Sequence, residues 1–488
     1  MSISFNAIPL DLRTPGQFLE FDASRAVSGA GVQPQRILVI GQKLASGPAT
    51  AGQPVRIATP DQAVQQFGRG SMLALMFAVF LKANPSGEAW GLPLSDNPAG
   101  VAATKTVTVT GPATSAGVVN LYVGGVRVQA AVAPADTATA VATALTAAVN
   151  ANLDLPVTAA NAAGVVTLTC RHKGEAGEAL DVRFNLNSGE GLPAGLTAVA
   201  AAGVAGAGNP DVTAVFASIG DDWFNTFVNP YTDAANLTVV ETELAERFGP
   251  LKMIDGFAYG YRSAAFGDLA ALGSSRNSPH SSIGGMKGCP TWSPVVAAAY
   301  AGVCSYYGAI DPARPFQTLP LPGVAAPAVA DRFSRAERDL LLRDGVSTFT
   351  VDAAGQVLVE RPITTYQTNA YGLPDTAYLD VNTLLTLSYL RFSMRSRIAT
   401  KYGRHKLADD GTMFAPGQAI VTPKVIKAEL VSLFREWEAM GLVEDVVQFI
   451  ADLIVERDAN DPRRLNALIP PNLVNQLLTF AGQVQFRL

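Results

Sequence analysis

Charge is scarce in this chain. Asp, Glu, Lys and Arg make up 16% of its 488 residues, where an average soluble domain carries about a quarter. The net charge of −5 excludes a general nucleic-acid binder, which needs a basic footprint. Cysteine is almost missing: Cys170, Cys289 and Cys304 stand far apart with no C-x-x-C, which excludes a disulfide framework and a zinc knuckle and predicts reduced thiols. The three histidines, His172, His280 and His405, fall in no H-E-x-x-H, so no metal is expected. No G-x-x-x-x-G-K-[ST] is present to cradle phosphate. Gly29-Ala30-Gly31 lacks the third glycine of a dinucleotide fingerprint and precedes a strand instead of following one. Ser281 and Ser282 stand beside His280, but no G-x-S-x-G supports a nucleophile there. No enzyme activity and no cofactor are therefore expected. The longest apolar run, Met72 to Leu81, is far short of the ~20 residues that span a bilayer. The first residues carry no basic segment ahead of an apolar one, so neither membrane insertion nor a signal peptide is expected. A weakly charged, Ala- and Gly-rich surface suits a chain buried against copies of itself, and an Ala-rich genome accounts for it equally well.

What the sequence does contain begins at its two ends. Gln483–Leu488 alternates polar and apolar residues, placing Val484, Phe486 and Leu488 on one face of a strand. Near the other end Ile3 and Phe5 alternate with Ser2 and Ser4 before Ile8-Pro9 interrupts. Such strands pair within their own subunit or add to a neighbour's sheet edge.

Between the ends the pattern divides four ways: an arm over 1–30, an α/β core over 31–97 plus 208–365, an inserted β-rich domain over 98–207, and an α+β domain over 366–488. The core opens with Ile37-Leu38-Val39-Ile40-Gly41, the continuous apolar run of a strand buried on both faces. Helices follow at Thr59-Pro60 and Ser71, where side-chain caps and an N1 proline fit. Later elements are read as helix 211–219, strand 223–228, helix 233–248, strand 252–258, a helix from Ser293-Pro294 and a capping box at Ser334/Glu337. A hairpin follows at 346–351 and 356–360. The insert is Val/Thr-rich, with Gly124-Gly125 as a hairpin turn. Its Gly/Ala-rich linkers predict an outer protrusion with few contacts to the core. The last domain is read as helix 381–402, a second helix from Thr422-Pro423 to Gly441, and strands at 450–457 and 463–469.

A basic cluster stands out against this weak charge. Arg391, Arg395, Arg397 and Lys401 precede Arg404 and Lys406, with no acid until Asp409. Either it is a solvated helix end favoured by the dipole, or it meets an acidic partner.

Several strings carry a family resemblance. Ile8-Pro9, Arg13-Thr14-Pro15-Gly16, Asn229-Pro230-Tyr231-Thr232-Asp233 and Ile254-Asp255-Gly256 are similar to Mu-type contractile-tail sheath proteins. So is the C-terminal run from Val455-Glu456-Arg457-Asp458 through Leu468-Ile469-Pro470-Pro471-Asn472 to Gln485-Phe486-Arg487-Leu488. The resemblance spans nearly the whole chain. It implies a subtilisin-like core without protease activity and a homo-oligomer of hexameric rings stacked in a helix. It implies a tail tube, baseplate and tail terminator as partners, a place in the virion tail after assembly in the host cytoplasm, and contraction that drives the tube through an envelope. It also implies that the terminal strands, with Ile3, Phe5, Val484, Phe486 and Leu488, are exchanged between subunits, and that the C-terminal domain faces the tube, with Arg391, Arg395, Arg397 and Lys401 as candidate contacts. A tube or baseplate component, and a secreted hydrolase with a β-rich module, are the alternatives.

Overall fold

The computed structural model describes Thr14, Gly16 and residues 33–415 and 417–487. The arm residues Ile3 and Phe5, and Leu488 at the other end, lie outside the described residues. The chain forms two compact units, one of Pro34–Ser388 with the stretch from Asn475, the other containing Tyr389–Val474.

The first unit is organised by a nine-stranded sheet. Six strands are parallel, in the spatial order Glu88–Leu94, Arg36–Gln42, Thr226–Val228, Phe257–Ser263, Ser281–Met286 and Val346–Val351. Val55–Arg56 closes one side antiparallel, and the hairpin strand Gln356–Arg361 with Pro320–Ala325 closes the other. Ile37, Leu38, Val39 and Ile40 are all fully buried, as a parallel strand covered on both faces requires. One covering layer holds helices Met72–Ala83 and Ser293–Ile310 packed together. Gly302 makes that approach possible: a Cβ there would lie 2.6 Å from Ala83 Cβ.

The strand read over 252–258 is found five residues later, at Phe257–Ser263. Ile254-Asp255-Gly256 is instead the approach to it, because Gly256 passes under Phe227 and Leu244 where a Cβ would be 2.7 Å from the Phe227 ring.

The insert folds as two antiparallel sheets with the helix Ala138–Ala151. One contains Ala102–Thr110, Val157–Ala162, Val165–Lys173 and Thr197–Ala202; the other contains Gly117–Val123, Val126–Val132 and Val182–Phe184. Gly124 and Gly125, both at positive φ, make the two-residue turn of its hairpin.

In the second unit the long helix Val381–Tyr402 continues from the first, and Pro423–Ala439 follows, with Trp437 donating to Ser393 Oγ at 2.9 Å. Val446–Asp452 is a helix capped by Asp445, not the start of a strand; the strand is only Ile454–Arg457. It pairs with Leu465–Leu468 as a two-stranded hairpin packed against the helix Pro423–Ala439.

Candidate functional site

In an open parallel sheet, the crevice for ligands lies beyond the carboxyl ends of the strands where the strand order reverses. Here the reversal falls at Arg36–Gln42, which has Glu88–Leu94 on one side and Thr226–Val228 on the other. The insert reaches the mouth of this crevice, and a cavity of ≈ 190 Å³ remains beside it, between Glu175 and Glu178 of the insert and Tyr231, Tyr261 and Arg262. Gln42 at the strand's end donates to Asp96 Oδ1 and to the Lys173 carbonyl, each at 2.8 Å. Lys173 N–H donates to Asp96 Oδ2 at 3.1 Å. His172 is buried there, and its Nε2 accepts from Met72 N–H at 3.1 Å. That fixes the ring proton on Nδ1, from which it is donated to Asp96 at 3.0 Å. Burial pushes the Asp96 pKa up, yet the hydrogen bonds from His172, Lys173 and Gln42 outweigh it and hold the carboxyl below its ordinary value. The pair looks like a catalytic dyad but both imidazole nitrogens are engaged, so His172 is a strut between insert and core.

Further struts correct the expectation of few contacts between insert and core. Trp292 Nε1 donates to the Ala176 carbonyl at 2.7 Å and Arg183 to that of Gly288 at 3.1 Å. The glycine-rich linkers work by closeness: a Cβ on Gly100 would fall 2.7 Å from Gly208 O, so the two linkers run in contact. Composition showed the glycines but not whether they confer slack or close approach.

The other chemical candidates are dispersed. Ser282 Oγ bonds Tyr300 at 2.7 Å and Ser347 at 2.9 Å in a buried hydroxyl network, while His280 packs against Phe248. Among the described residues no cluster of His, Cys, Asp or Glu is arranged to hold a metal ion. All three cysteines are buried, and burial pushes the Cys170 and Cys289 thiols up to about 11.

The basic cluster divides in the structure. Arg397 donates to Glu429 at 3.0 Å and also pairs with Glu436, and Lys401 and Tyr402 reach Glu429 at 2.6 and 2.9 Å. Glu429 is only 7% exposed; burial alone would raise its pKa, and the bonds from Lys401, Arg397 and Tyr402 bring it below the ordinary value. Thus Arg397 and Lys401 brace the helices Val381–Tyr402 and Pro423–Ala439 against each other. Both acids lie on the following helix, where linear sequence could not connect them to the basic run. Arg395 is exposed and Arg391 half-buried.

The C-terminal stretch has the opposite character. Val484 and Phe486 are 90% and 80% exposed, and no residue from Val474 to Arg487 is in a strand. The hairpin Ile454–Arg457/Leu465–Leu468 has no further strand beside it among the described residues, and it exposes Ile454 and Leu468.

Large apolar side chains held in solvent and a short hairpin with no further described strand beside it mark the class: a structural subunit built to assemble. Comparisons with known proteins say which. The chain matches the phage tail sheath protein central domain over residues 205–365, the sheath C-terminal domain over 374–487 and the sheath β-sandwich domain over 98–197. It is 45% identical over 486 residues, the full length of both chains, to the Mu-like prophage FluMu tail sheath protein of Haemophilus influenzae. The crystal structure of the sheath tail protein from Desulfitobacterium hafniense matches with a TM-score of 0.50 at 16% identity, covering 95% of this chain and 97% of that one. That of the sheath tail protein Lin1278 from Listeria innocua gives 0.46 at 13% identity, over 93% and 94%. The chain belongs to the phage tail sheath family.

Proposed function

We propose that this chain is the repeating subunit of a contractile sheath, stacked as hexameric rings in a helix around a tail tube. On a signal from the baseplate the sheath shortens and drives the tube through the host envelope. Tube, baseplate and tail terminator are its partners; it acts in the virion tail after assembly in the host cytoplasm. The observation that carries this reading is the complementarity of the exposed terminal stretch with Val484 and Phe486 to the short hairpin Ile454–Arg457/Leu465–Leu468. A two-stranded ribbon is marginal alone, and each edge offers backbone groups to a third strand. Terminal strands from neighbouring copies, carrying Ile3, Phe5, Val484, Phe486 and Leu488, complete it by β-augmentation. Such links hold subunits together while the rigid units rotate.

The division of labour follows the four segments: arm 1–30, core 31–97 with 208–365, outer insert 98–207 and C-terminal domain 366–488. The core is subtilisin-like in fold, and no peptidase chemistry accompanies it, since the His172–Asp96 pair serves as a strut. Work without a nucleotide must be stored as a barrier between two packings of the same subunits. The C-terminal domain faces the tube. Arg391, Arg395, Arg397 and Lys401 are the candidate contacts, of which Arg397 and Lys401 also bind Glu429. Charge reversal scored as extended sheath on tubes against empty polysheath tests them.

Deleting 483–488 tests the main reading. The expected product is a folded subunit that forms no cylinders by electron microscopy. Sheath of normal length from that deletion would refute strand exchange through this end, and a wild-type chain that never polymerises would refute the sheath reading itself.

A further inference from the structure

Beyond the terminal strands, a second contact is built into the first unit. Residues Thr368–Pro374 form a loop closed by a bridge between those two residues. Its interior is fully tied: Asn369 Oδ1 accepts from Tyr371 N–H at 2.9 Å and from Leu373 N–H at 3.2 Å, while Asn369 N–H donates to the Leu373 carbonyl at 2.9 Å. Gly372, at φ +74°, permits the reversal. At its base Asn277 binds Thr368 and Gln367, and Tyr366 donates to Asp375 at 2.6 Å. This rigid loop holds Tyr371 at 89% and Leu373 at 60% exposure. A side chain ordered in solvent without a packing partner gains nothing for the isolated fold, whereas an anchor ordered beforehand loses little entropy on binding. Tyrosine is among the residues that dominate interface energy.

The same unit also carries a depression of ≈ 580 Å³, of mixed apolar and polar lining, beside the outer strand Pro320–Ala325. It is lined by Val303, Tyr306, Tyr307, Leu321, Pro322 and Val324, with Lys82 among the lining residues. Pro320 and Pro322 have no N–H to donate, so this edge refuses an added strand and accepts side chains instead. A terminal strand therefore does not suit it, and a compact apolar knob does. Lys82 is matched by Asp375 at the base of the knob, which its bond to Tyr366 keeps below the ordinary carboxylate value.

We propose that Tyr371 and Leu373 of one copy seat in the Tyr307/Pro322 depression of a second copy. Two different patches meet, so the contact is heterologous and propagates into rings or a helix without closing on itself. This rests on the sheath reading, and the experiment separates the two. Leu373→Cys and Tyr307→Cys are introduced together into the full chain, assembled and exposed to mild oxidant; the native cysteines are buried. The expected result is a ladder of crosslinked multimers, absent from each single variant. Tyr371→Asp is expected to leave the thermal melt unchanged and to reduce polymer at least about tenfold. Asn369→Ala, which frees the loop without altering the knob, should give a smaller loss. Assembled sheath without a ladder, together with undiminished polymer from Tyr371→Asp, would overturn the contact while leaving the sheath reading intact. A knob that crosslinks only when another tail protein is added would overturn the choice of a second copy.

Discussion

The sheet of the first unit and the hairpin of the second answer the same problem in opposite ways. Nine strands form a sheet whose central members are buried on both faces, and its Pro320/Pro322 edge is blunted by residues that cannot donate. The hairpin Ile454–Arg457/Leu465–Leu468 has two strands, half-exposed side chains and no such protection. One sheet is finished by its own chain, whereas the other leaves room for another. The difference teaches that packing alone does not finish a sheet: both units have buried apolar cores, with Phe434, Trp437 and Phe449 in the second, yet only the first sheet has its strands covered on both faces.

The sharpest test of that contrast is Glu429→Ala. It strips Arg397, Lys401 and Tyr402 of a shared acceptor, but Arg397 keeps Glu436 and Lys401 is half exposed, so the cost is about 1–3 kcal/mol. The loss should appear in hydrogen exchange of 389–474 while the sheet of the first unit keeps its protection. Leu38→Ala is the mirror experiment. A fully buried leucine truncated in a packed core costs about 2–5 kcal/mol, read by denaturant melts, with protection lost in the first unit. His172→Ala should cost less, about 1–3 kcal/mol, because it leaves Met72 N–H and Asp96 short of a partner without opening the whole core. Limited proteolysis should then release the insert first.

Acid sharpens the same comparison. The Glu429 carboxyl is held below its ordinary value in the folded chain. Its contribution is therefore complete above the unfolded glutamate pKa, about 4.3, and disappears as pH falls through the lower folded value. Exchange in 389–474 should rise over that window, and Glu429→Gln should flatten the dependence. The smallest effect on folding is expected from Val484→Asp with Phe486→Asp. Both side chains are exposed in the single chain, so the melt should move by less than about 0.5 kcal/mol while polymerisation fails. A large stability loss from that pair would mean the terminal stretch belongs to its own subunit.

Local signals were legible wherever a short-range interaction decides the backbone. Thr59 and Ser71 cap their helices by accepting from Gln62 and Ala74 N–H, Ser334 and Glu337 form the capping box, and Gly124-Gly125 turns the hairpin. The run Ile37–Ile40 marked a strand buried on both faces because only such a strand has no polar face to show. Illegible were the features made by residues far apart: the spatial order of the parallel strands, the insertion of His172 between Met72 and Asp96, and the pairing of Arg397 with Glu429 and Glu436. A basic run with no nearby acid in sequence read as available charge, yet helix packing brought two carboxylates to it. Glycine-rich linkers read as the tethers of a protrusion with few core contacts, yet Trp292 and Arg183 tie the insert to the core. By itself the sequence determined the capped helices, the buried strand at 37–40, the absence of recognisable catalytic motifs and the apolar ends, since caps, periodicity and composition act within a few residues. The strands read at 252–258 and 450–457 were displaced by what packs around them. Only the tertiary structure decided which polar groups are already satisfied and which apolar ones remain in solvent, because burial and pairing depend on neighbours that the chain acquires by folding.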